Sequence, residues 1–219
     1  MKRLRRYQLK YDYSSYQGMF LPYFLGTKGL VLDIGCHDGY FLEACRQEGI
    51  SAIGFDIDPV HVQCCLDKGL RAVCADLRAM WEQVPGSFSG IFASHIVEHL
   101  APSELKDFIH ELSQRIAQGG VVAIATPNPA NLAVIGIDFW NDISHVRPYP
   151  EEVLRSLLIR EGFEIIESGE VPVFFNTLPA MLLHIIRWPL LRFLGIHRHM
   201  RRGDTFIVAR RSGAALGSP

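Results

Sequence analysis

Short apolar runs alternate with amphipathic helical segments between residues 29 and 126. The apolar runs are LVLDI (30–34), SAIGFD (51–56), RAVCAD (71–76), FSGIFAS (88–94) and VVAIAT (121–126). The clearest helical spacing covers residues 102–120, with Pro102 near its start and Gly119-Gly120 at its end. This alternation predicts an α/β fold with a mostly parallel sheet and helices on both faces. Such sheets bind ligands at the carboxyl ends of their strands.

The pattern changes after residue 126. Residues 126–150 are rich in proline and asparagine and predict an extended loop over the ligand edge. A helix at about 150–161, a strand from Phe163 toward Phe174 and a last strand at 204–211 follow. We expect a single domain over residues 1–211, which comprises an N-terminal helical cap at 1–28 and an apolar and basic insertion at 176–203, followed by a flexible tail at 212–219.

Composition narrows the class of protein. The chain has 219 residues and a net charge of −1, so no overall basic field favours a nucleic-acid partner. Its 5 cysteines are odd in number and form no CxxC pair. The basic start MKRLRRYQLKY is not followed by an apolar signal region. These features predict a reduced, cytoplasmic protein and argue against zinc held by cysteine.

The first predicted strand ends in an acid and a glycine loop, Asp33 and Gly35–Gly39. Gly35 permits a ligand to approach the backbone, and Gly39 permits the next helix to pack closely. The free N–H groups at the start of that helix suit an anionic group. Taken alone, the loop is equally compatible with a plain strand-to-helix turn.

The next two strands also end in acids. Asp56 suits the two hydroxyls of a ribose, because a carboxylate accepts two hydrogen bonds. Asp58 is better placed to cap the following helix, which leaves Asp56 for a ligand. Asp76 could accept from the amine of an adenine, with Leu77 packed on the ring, or could cap a helix. Acids at successive strand ends beside a glycine loop favour an adenosine-containing ligand.

The glycine spacing separates two such ligands. A dinucleotide such as NAD uses G-x-G-x-x-G, whereas this loop has G-x-x-x-G. Asp33 would repel a pyrophosphate, but it suits the ammonium group of a methionine moiety. The loop therefore favours S-adenosylmethionine.

These motifs together resemble a known family. The segments VLDIGCHDGYF, GFDIDP, ADL, FSGIFASHIVEHL and GGVVAIATPNP resemble, in order and spacing, those of class I S-adenosylmethionine-dependent methyltransferases. The resemblance covers about residues 29–165 and implies a Rossmann-like sheet of seven strands with an antiparallel last strand. It also implies a set of cofactor-binding residues: Asp33, Gly35, Cys36, His37 and Gly39 along the methionine part, Asp56 and Ile57 at the ribose, Asp76 and Leu77 at the adenine, and Ser94 and His95 near the sulfonium.

His37 departs from the family pattern, which has glycine at this position. Histidine tolerates a positive φ better than β-branched residues do, so we expect the loop to keep its shape. The alternative is that the ring contacts the cofactor or the substrate.

A narrower resemblance concerns the acceptor. The segments SHIVEHL, TPNPANL and DFWNDISHVRPYPEEVLRSLLIREGF resemble a bacterial subgroup associated with cell-surface polysaccharide synthesis. It implies O-methylation of a sugar, glycan or lipid-linked acceptor. The alternatives are a quinone-like or other small hydroxylated acceptor, and a non-catalytic cofactor-binding subunit.

The loop after the fifth strand contains the first candidate for a catalytic base. A neutral histidine can take a proton from a hydroxyl acceptor, and His145 occupies that loop. Arg147 could hold an anionic substrate group, and Tyr149 could line the acceptor site. The competing interpretation is that His145 and Arg147 only tie the loop to the sheet.

The fourth strand ends in a second candidate group. His95, Glu98 and His99 have the spacing of one helical face. We expect His95 to contribute to catalysis and Glu98 to face the substrate. A divalent metal held by this face is the alternative, and we favour a site without metal.

The segment 179–202 combines long aliphatic runs with several arginines. Pro189 and the arginines argue against a membrane span. The segment is compatible with peripheral contact to anionic lipid, with a homodimer surface, or with a cover over the acceptor pocket.

Overall fold

The fold is described by a computed structural model, which covers residues 16–84, 86–131, 135–136, 139–171, 189, 192–193 and 204–212. Within these residues lies one seven-stranded sheet with the order β3-β2-β1-β4-β5-β7-β6. The strands are β1 (Val31–Ile34), β2 (Ala52–Asp56), β3 (Ala72–Cys74), β4 (Phe88–Ser94), β5 (Ile116–Pro127), β6 (Phe163–Glu170) and β7 (Asp204–Arg211). The pairs among β1–β5 are parallel, and β7 runs antiparallel to both of its neighbours. The predicted fold class is confirmed.

Among the described residues, five α-helices lie between the strands. They are α1 (Tyr40–Gln47), α2 (Pro59–Asp67), α3 (Met80–Gln83), α4 (Pro102–Arg115) and α5 (Glu151–Arg160). In addition, 3₁₀ segments lie at Tyr16–Tyr23, Val97–His99 and Phe139–Asn141. Each parallel crossover returns the chain to the same sheet edge, so the ends of β1, β2, β4 and β5 lie together.

The sheet separates two apolar layers. Along β1, Leu32 and Ile34 belong to the layer covered by α4 and α5, whereas Val31 belongs to the opposite layer. On that opposite face Phe20 and Phe24, at the N-terminal end of the described chain, stack against the ring of Phe92. The described part of the predicted N-terminal cap therefore covers one face of the sheet, and residues 1–15 lie outside the described chain.

Two predicted boundaries were wrong. The helix expected over residues 102–120 ends at Arg115, and Ile116 pairs with Phe88 as the start of β5. Ile116 continues the apolar spacing of the helix, so periodicity cannot tell a last helical turn from an edge residue of the strand. The β4–β5 register then shifts, since Gly90 pairs with Val121. The strand that starts at Phe163 ends at Glu170, short of the expected Phe174.

The predicted insertion at 176–203 lies outside the described residues except for 189 and 192–193. None of the helices in the described ranges is both long enough and apolar enough to cross a membrane. The domain boundaries, the lipid contact and the dimer surface stay predictions.

Candidate functional site

The glycine loop follows β1 and curves over the end of β2. The N–H groups of Gly35 and Cys36 both donate to the carbonyl of Phe55, at 2.8 and 3.0 Å. Gly35 has φ 74°, and a Cβ there would lie 2.5 Å from Ile96 Cδ1. The glycine is thus required by backbone conformation and by packing inside the protein, a reason that the sequence did not reveal.

Gly39 marks the start of α1. Its φ is 82°, and a Cβ there would lie 2.7 Å from Leu70 Cδ1 and 2.9 Å from Cys65 Sγ. The expected close helix packing is confirmed, and a side chain here would push the loop away from α2. Cys36 and Cys65 are buried, so the loop is anchored in an apolar environment.

His37 has φ 46°, which is the left-handed conformation that glycine usually provides. Its backbone N–H donates to Asp56 Oδ2 at 2.8 Å, and the N–H of Asp58 donates to Asp56 Oδ1 at 2.9 Å. The loop therefore holds the Asp56 carboxylate in place while each oxygen keeps a further lone pair. Asp58 caps α2 by accepting from the N–H of Val60, as expected.

Asp33 lies beneath this loop and is 2% exposed. Its Oδ2 has no hydrogen-bond partner among the described residues. Burial, and then the charge of Asp56, raise the pKa of Asp33 well above its usual value. A buried carboxyl with an unsatisfied oxygen is costly by itself and would be stabilised by a donor or a cation. The expected ammonium group of S-adenosylmethionine fits this requirement.

A groove of about 680 Å³ lies between the segments that follow β2 and β3 and the helix α4. Ile57, Asp76, Leu77 and Leu100 contribute to its walls, and Ile57 is 73% exposed. Asp76 Oδ1 accepts from the N–H groups of residues 78 and 79, so it fixes the turn before α3, whose N-cap is Ala79. An adenine contact through the rest of this carboxylate stays a prediction.

The end of β4 contains a network of charged groups. His95 Nδ1 lies 3.0 Å from Glu98 Oε1, and His95 Nε2 lies 3.0 Å from Asp204 Oδ2. Thr126 donates to the other Glu98 oxygen at 2.9 Å. Burial alone would lower the pKa of His95, but the bonds to Asp204 and Glu98 and their charges outweigh it and raise the pKa to about 10. His95 is therefore a cation at neutral pH and is poorly suited to act as a base.

Ser94 is buried at the end of β4, and Glu98 is fully buried. His95 has φ 57°, so the chain turns sharply between these two residues. Because Glu98 is enclosed by His95 and Thr126, the structure does not bring it to an open surface. A direct substrate contact for Glu98 stays a prediction that this geometry does not favour.

The loop after β5 folds back onto the 3₁₀ segment Val97–His99. The N–H groups of Val146 and Arg147 donate to the carbonyl of Glu98, at 2.9 and 3.1 Å. His145 Nδ1 lies 2.6 Å from the carbonyl oxygen of Phe139. A carbonyl only accepts, so Nδ1 carries the proton and Nε2 is the nitrogen able to accept one.

The structure places Tyr149 in the core and Arg147 on the exposed loop beside it. Tyr149 is 2% exposed and its hydroxyl donates to the carbonyl of Leu100, so it anchors the loop from inside the core. The guanidinium of Arg147 lies 5.6 Å from the centre of the Tyr149 ring. A substrate role for either residue stays a prediction.

Donor atoms of Glu98, His99 and His145 lie within 4.8 Å of one another and could hold a metal ion. Each donor already has a polar contact, because Glu98 binds Thr126 and His99 Nδ1 lies 3.0 Å from Ser144 Oγ. The expectation of a site without metal stays a prediction.

Sequence reasoning missed Asp204 and Thr126. Both lie at the ligand edge, since Thr126 is the penultimate residue of β5 and the antiparallel β7 begins beside the end of β5 with Asp204. The sequence carried one usable signal: an acid at the start of a final antiparallel strand must lie at the carboxyl edge of its parallel neighbours.

Comparison with known proteins gives consistent results. Residues 5–168 match a family model described as "Methyltransferase domain". The mitochondrial ubiquinone biosynthesis O-methyltransferase of Homo sapiens is 31% identical over 171 residues, which are 72% of this chain and 44% of that protein. The ubiquinone biosynthesis O-methyltransferase of Brucella anthropi is 28% identical over 166 residues, covering 68% of this chain and 64% of that protein. The chain thus spans less than two thirds of the length of these relatives.

Solved structures show the same fold. A SAM-dependent methyltransferase from Archaeoglobus fulgidus is 26% identical, with a TM-score of 0.73 over 94% of this chain and 98% of its own. The magnesium protoporphyrin IX methyltransferase of Synechocystis, solved with bound SAH, is 15% identical, with a TM-score of 0.62 over 96% and 86% of the two chains. At that identity the second likeness concerns the fold alone.

Proposed function

Because this chain belongs to the S-adenosylmethionine-dependent methyltransferases, we propose that it methylates a hydroxyl oxygen of a small aromatic, quinol-like acceptor with His145 as the base. The proposal chooses the small hydroxylated acceptor over the glycan that the sequence motifs had suggested. The relatives support this choice, since those from Homo sapiens and Brucella anthropi are ubiquinone biosynthesis O-methyltransferases.

The loop that carries His145 supplies the observation on which the proposal mainly rests. Trp140, Ile143 and Val146 flank His145 and are 59%, 101% and 48% exposed. A group of large apolar side chains that is exposed to solvent usually marks a surface that binds an apolar partner. A base surrounded by apolar surface suits an apolar aromatic ring that bears a hydroxyl.

The geometry of His145 fits proton removal. Its Nδ1–H is fixed by the Phe139 carbonyl, and its ring packs on the Phe139 ring with centroids 4.4 Å apart. Asp142 Oδ2 lies 3.8 Å from His145 Nε2 and would stabilise the ring after it takes a proton. The chain thereby orients one nitrogen as acceptor and prepares for the positive charge that results.

The residues that would bind S-adenosylmethionine are proposed from their positions and chemistry. Asp33 would receive the ammonium group, Asp56 the ribose hydroxyls, and Ile57, Asp76 and Leu77 would border the adenine. The backbone of Gly35–Gly39 would lie along the methionine part, and Ser94 and His95 would lie near the sulfonium. When bound, S-adenosylmethionine supplies a methyl group activated by the positive sulfur. The chain itself supplies alignment and the base.

The test compares His145→Gln with a matched control, His110→Gln, since His110 is an exposed histidine that pairs with Glu161 away from the loop. Loss of a general base should lower turnover by about 10²-fold or more. Calorimetry with S-adenosylhomocysteine should give the wild-type affinity for both variants. Unchanged turnover in His145→Gln would remove the base assignment.

The acceptor class is tested in the same assay. Methyl release is measured with a catechol, with a simple sugar and without acceptor, at equal concentrations. We expect turnover with the catechol. Turnover with the sugar alone would restore the glycan acceptor, and turnover with neither would reject the proposed acceptor class.

A further inference from the structure

A second cluster of side chains that could bind a metal lies where the glycine loop meets α2. It is separate from the loop that carries His145. His61 Nδ1 lies 2.9 Å from Asp38 Oδ1, and His37 Nδ1 lies 3.5 Å from Asp38 Oδ2. The two imidazole rings stack with centroids 3.6 Å apart. One donor atom from each of the three residues lies within 4.8 Å of the others.

Hydrogen bonds made by their backbone atoms hold two of these residues, His37 and Asp38, in place. The His37 N–H donates to Asp56 Oδ2, and the His37 carbonyl accepts from Cys65 Sγ at 3.2 Å. The Asp38 carbonyl accepts from Lys68 Nζ at 2.7 Å. A ligand set whose backbone is fixed before binding loses little conformational entropy when an ion arrives. This separates the cluster from a chance meeting of mobile surface side chains.

The charge of the cluster suits a divalent cation. Asp38 contributes one carboxylate, whose Oδ1 lies 2.9 Å from His61 Nδ1. Asp58 adds a second carboxylate 4.0 Å from His61 Nε2. The positive charge of Lys68 is offset by Glu43, which lies 3.3 Å away.

The donor types select the kind of metal. Two imidazole nitrogens with a carboxylate oxygen suit Zn²⁺, Ni²⁺ or Cu²⁺, whereas Mg²⁺ and Ca²⁺ prefer sets made of oxygen. His37 is 53% exposed in its side chain, so an ion could enter and keep water in its remaining positions. The structure assigns a divalent transition-metal site to His37, Asp38 and His61, where the ion ties the glycine loop to α2.

The test uses untagged protein, freed of metal by a chelator that is then removed, and titrates it with Zn²⁺ alone by calorimetry. Wild type and His110→Gln should show the same binding event. His61→Gln and His37→Gly should each weaken this event by about tenfold or more, because each removes one ligand. His110 is the matched control because it pairs with one carboxylate, that of Glu161, and this pair includes no second histidine.

Two further measurements make the result decisive. Circular dichroism checks that both variants are folded, and glycine at position 37 suits the positive φ there. The Co²⁺ spectrum should lack a thiolate-to-metal band, which separates this site from binding at Cys64 or Cys74. Equal Zn²⁺ affinity in all four proteins, or a thiolate band that follows the binding event, would overturn the assignment. Neither measurement depends on methyl transfer, so failure here leaves the proposed function untouched.

Discussion

Asp33 and Glu98 are two carboxyl groups of nearly equal burial, 2% and 0% exposed, with opposite surroundings. Asp33 Oδ2 has no partner among the described residues, and burial keeps the pKa of Asp33 high. Both oxygens of Glu98 are occupied, one by His95 and one by Thr126. The Asp33 side, which is the proposed cofactor side, thus keeps one oxygen without a donor or cation among the described residues, whereas on the neighbouring side each Glu98 oxygen already has a partner.

The two sides also differ in how the chain builds them. Asp33 lies within β1 and Asp56 ends the adjacent parallel strand β2, where the loop N–H of His37 holds its carboxylate. His95 and Asp204 are 109 residues apart, and their contact passes over the end of β5. One side is therefore local in sequence, and the other exists only when the last strand has joined the sheet.

The largest change in the free energy of unfolding should come from Glu98→Gln. It removes a fully buried charge from the His95 cation, which then keeps the contact with Asp204 but loses its more buried partner. We expect the free energy of unfolding to fall by about 3 kcal/mol at pH 7. Urea denaturation at constant pH measures it.

Asp33→Asn is the matched substitution on the other side. It removes a buried carboxyl that no group compensates, so we expect the stability to change by less than about 1 kcal/mol. S-adenosylhomocysteine should nevertheless bind about tenfold more weakly, because the carboxylate would lose its bond to the ammonium. Equal destabilisation by the two variants would mean that the contrast between the two carboxyl groups is wrong.

A change in pH should alter the free energy of unfolding by less than Glu98→Gln does. The pKa of His95 is raised from 6.5 to about 10, so the folded state binds this proton more tightly than the unfolded state does. The stabilisation is fully present below pH 6.5 and is lost as the pH rises through about 10. Because the His95 side chain is 41% exposed, solvent screening reduces the loss to on the order of 2 kcal/mol.

Denaturation at several pH values between 6.5 and 10 measures this loss. His95→Asn is the control, since asparagine tolerates the positive φ at this position and does not titrate. The difference between wild type and variant isolates His95 from other groups that titrate in alkali. A difference that stays constant over this range would show that Asp204 and Glu98 do not hold the proton on His95.

Most of the fold was predictable, because strand and helix periodicities alternate cleanly from residue 29 to 126. The close packing at Gly39 and the helix cap at Asp58 were predictable because they follow from position relative to one strand end, whereas the roles of Asp33 and Asp56 stay proposals. The helix boundary at Arg115 was not, since Ile116 fits both periodicities.

The other side of the site was less predictable. Tyr149 was expected at the acceptor, but its ring fills the core and its hydroxyl bonds to Leu100. Thr126 and Asp204 were missed because their roles depend on pairings between distant elements. A single sequence reports local patterns directly and tertiary pairings only through topology.

The smallest effect should come from His37→Gly. The position needs φ 46°, which glycine adopts freely, and the contact with Asp56 comes from the backbone N–H rather than the ring. We expect the affinity for S-adenosylhomocysteine to change by less than about twofold, even though the metal site would lose a ligand. His37→Val is the matched opposite, because a β-branched side chain is strained at this φ and would displace the N–H from Asp56. Calorimetry should therefore separate the two variants, with binding weakened in valine alone. If His37→Gly weakened binding as much as His37→Val, the imidazole of His37 would itself contact the cofactor. The cofactor side would then depend on this side chain and not on the loop backbone alone.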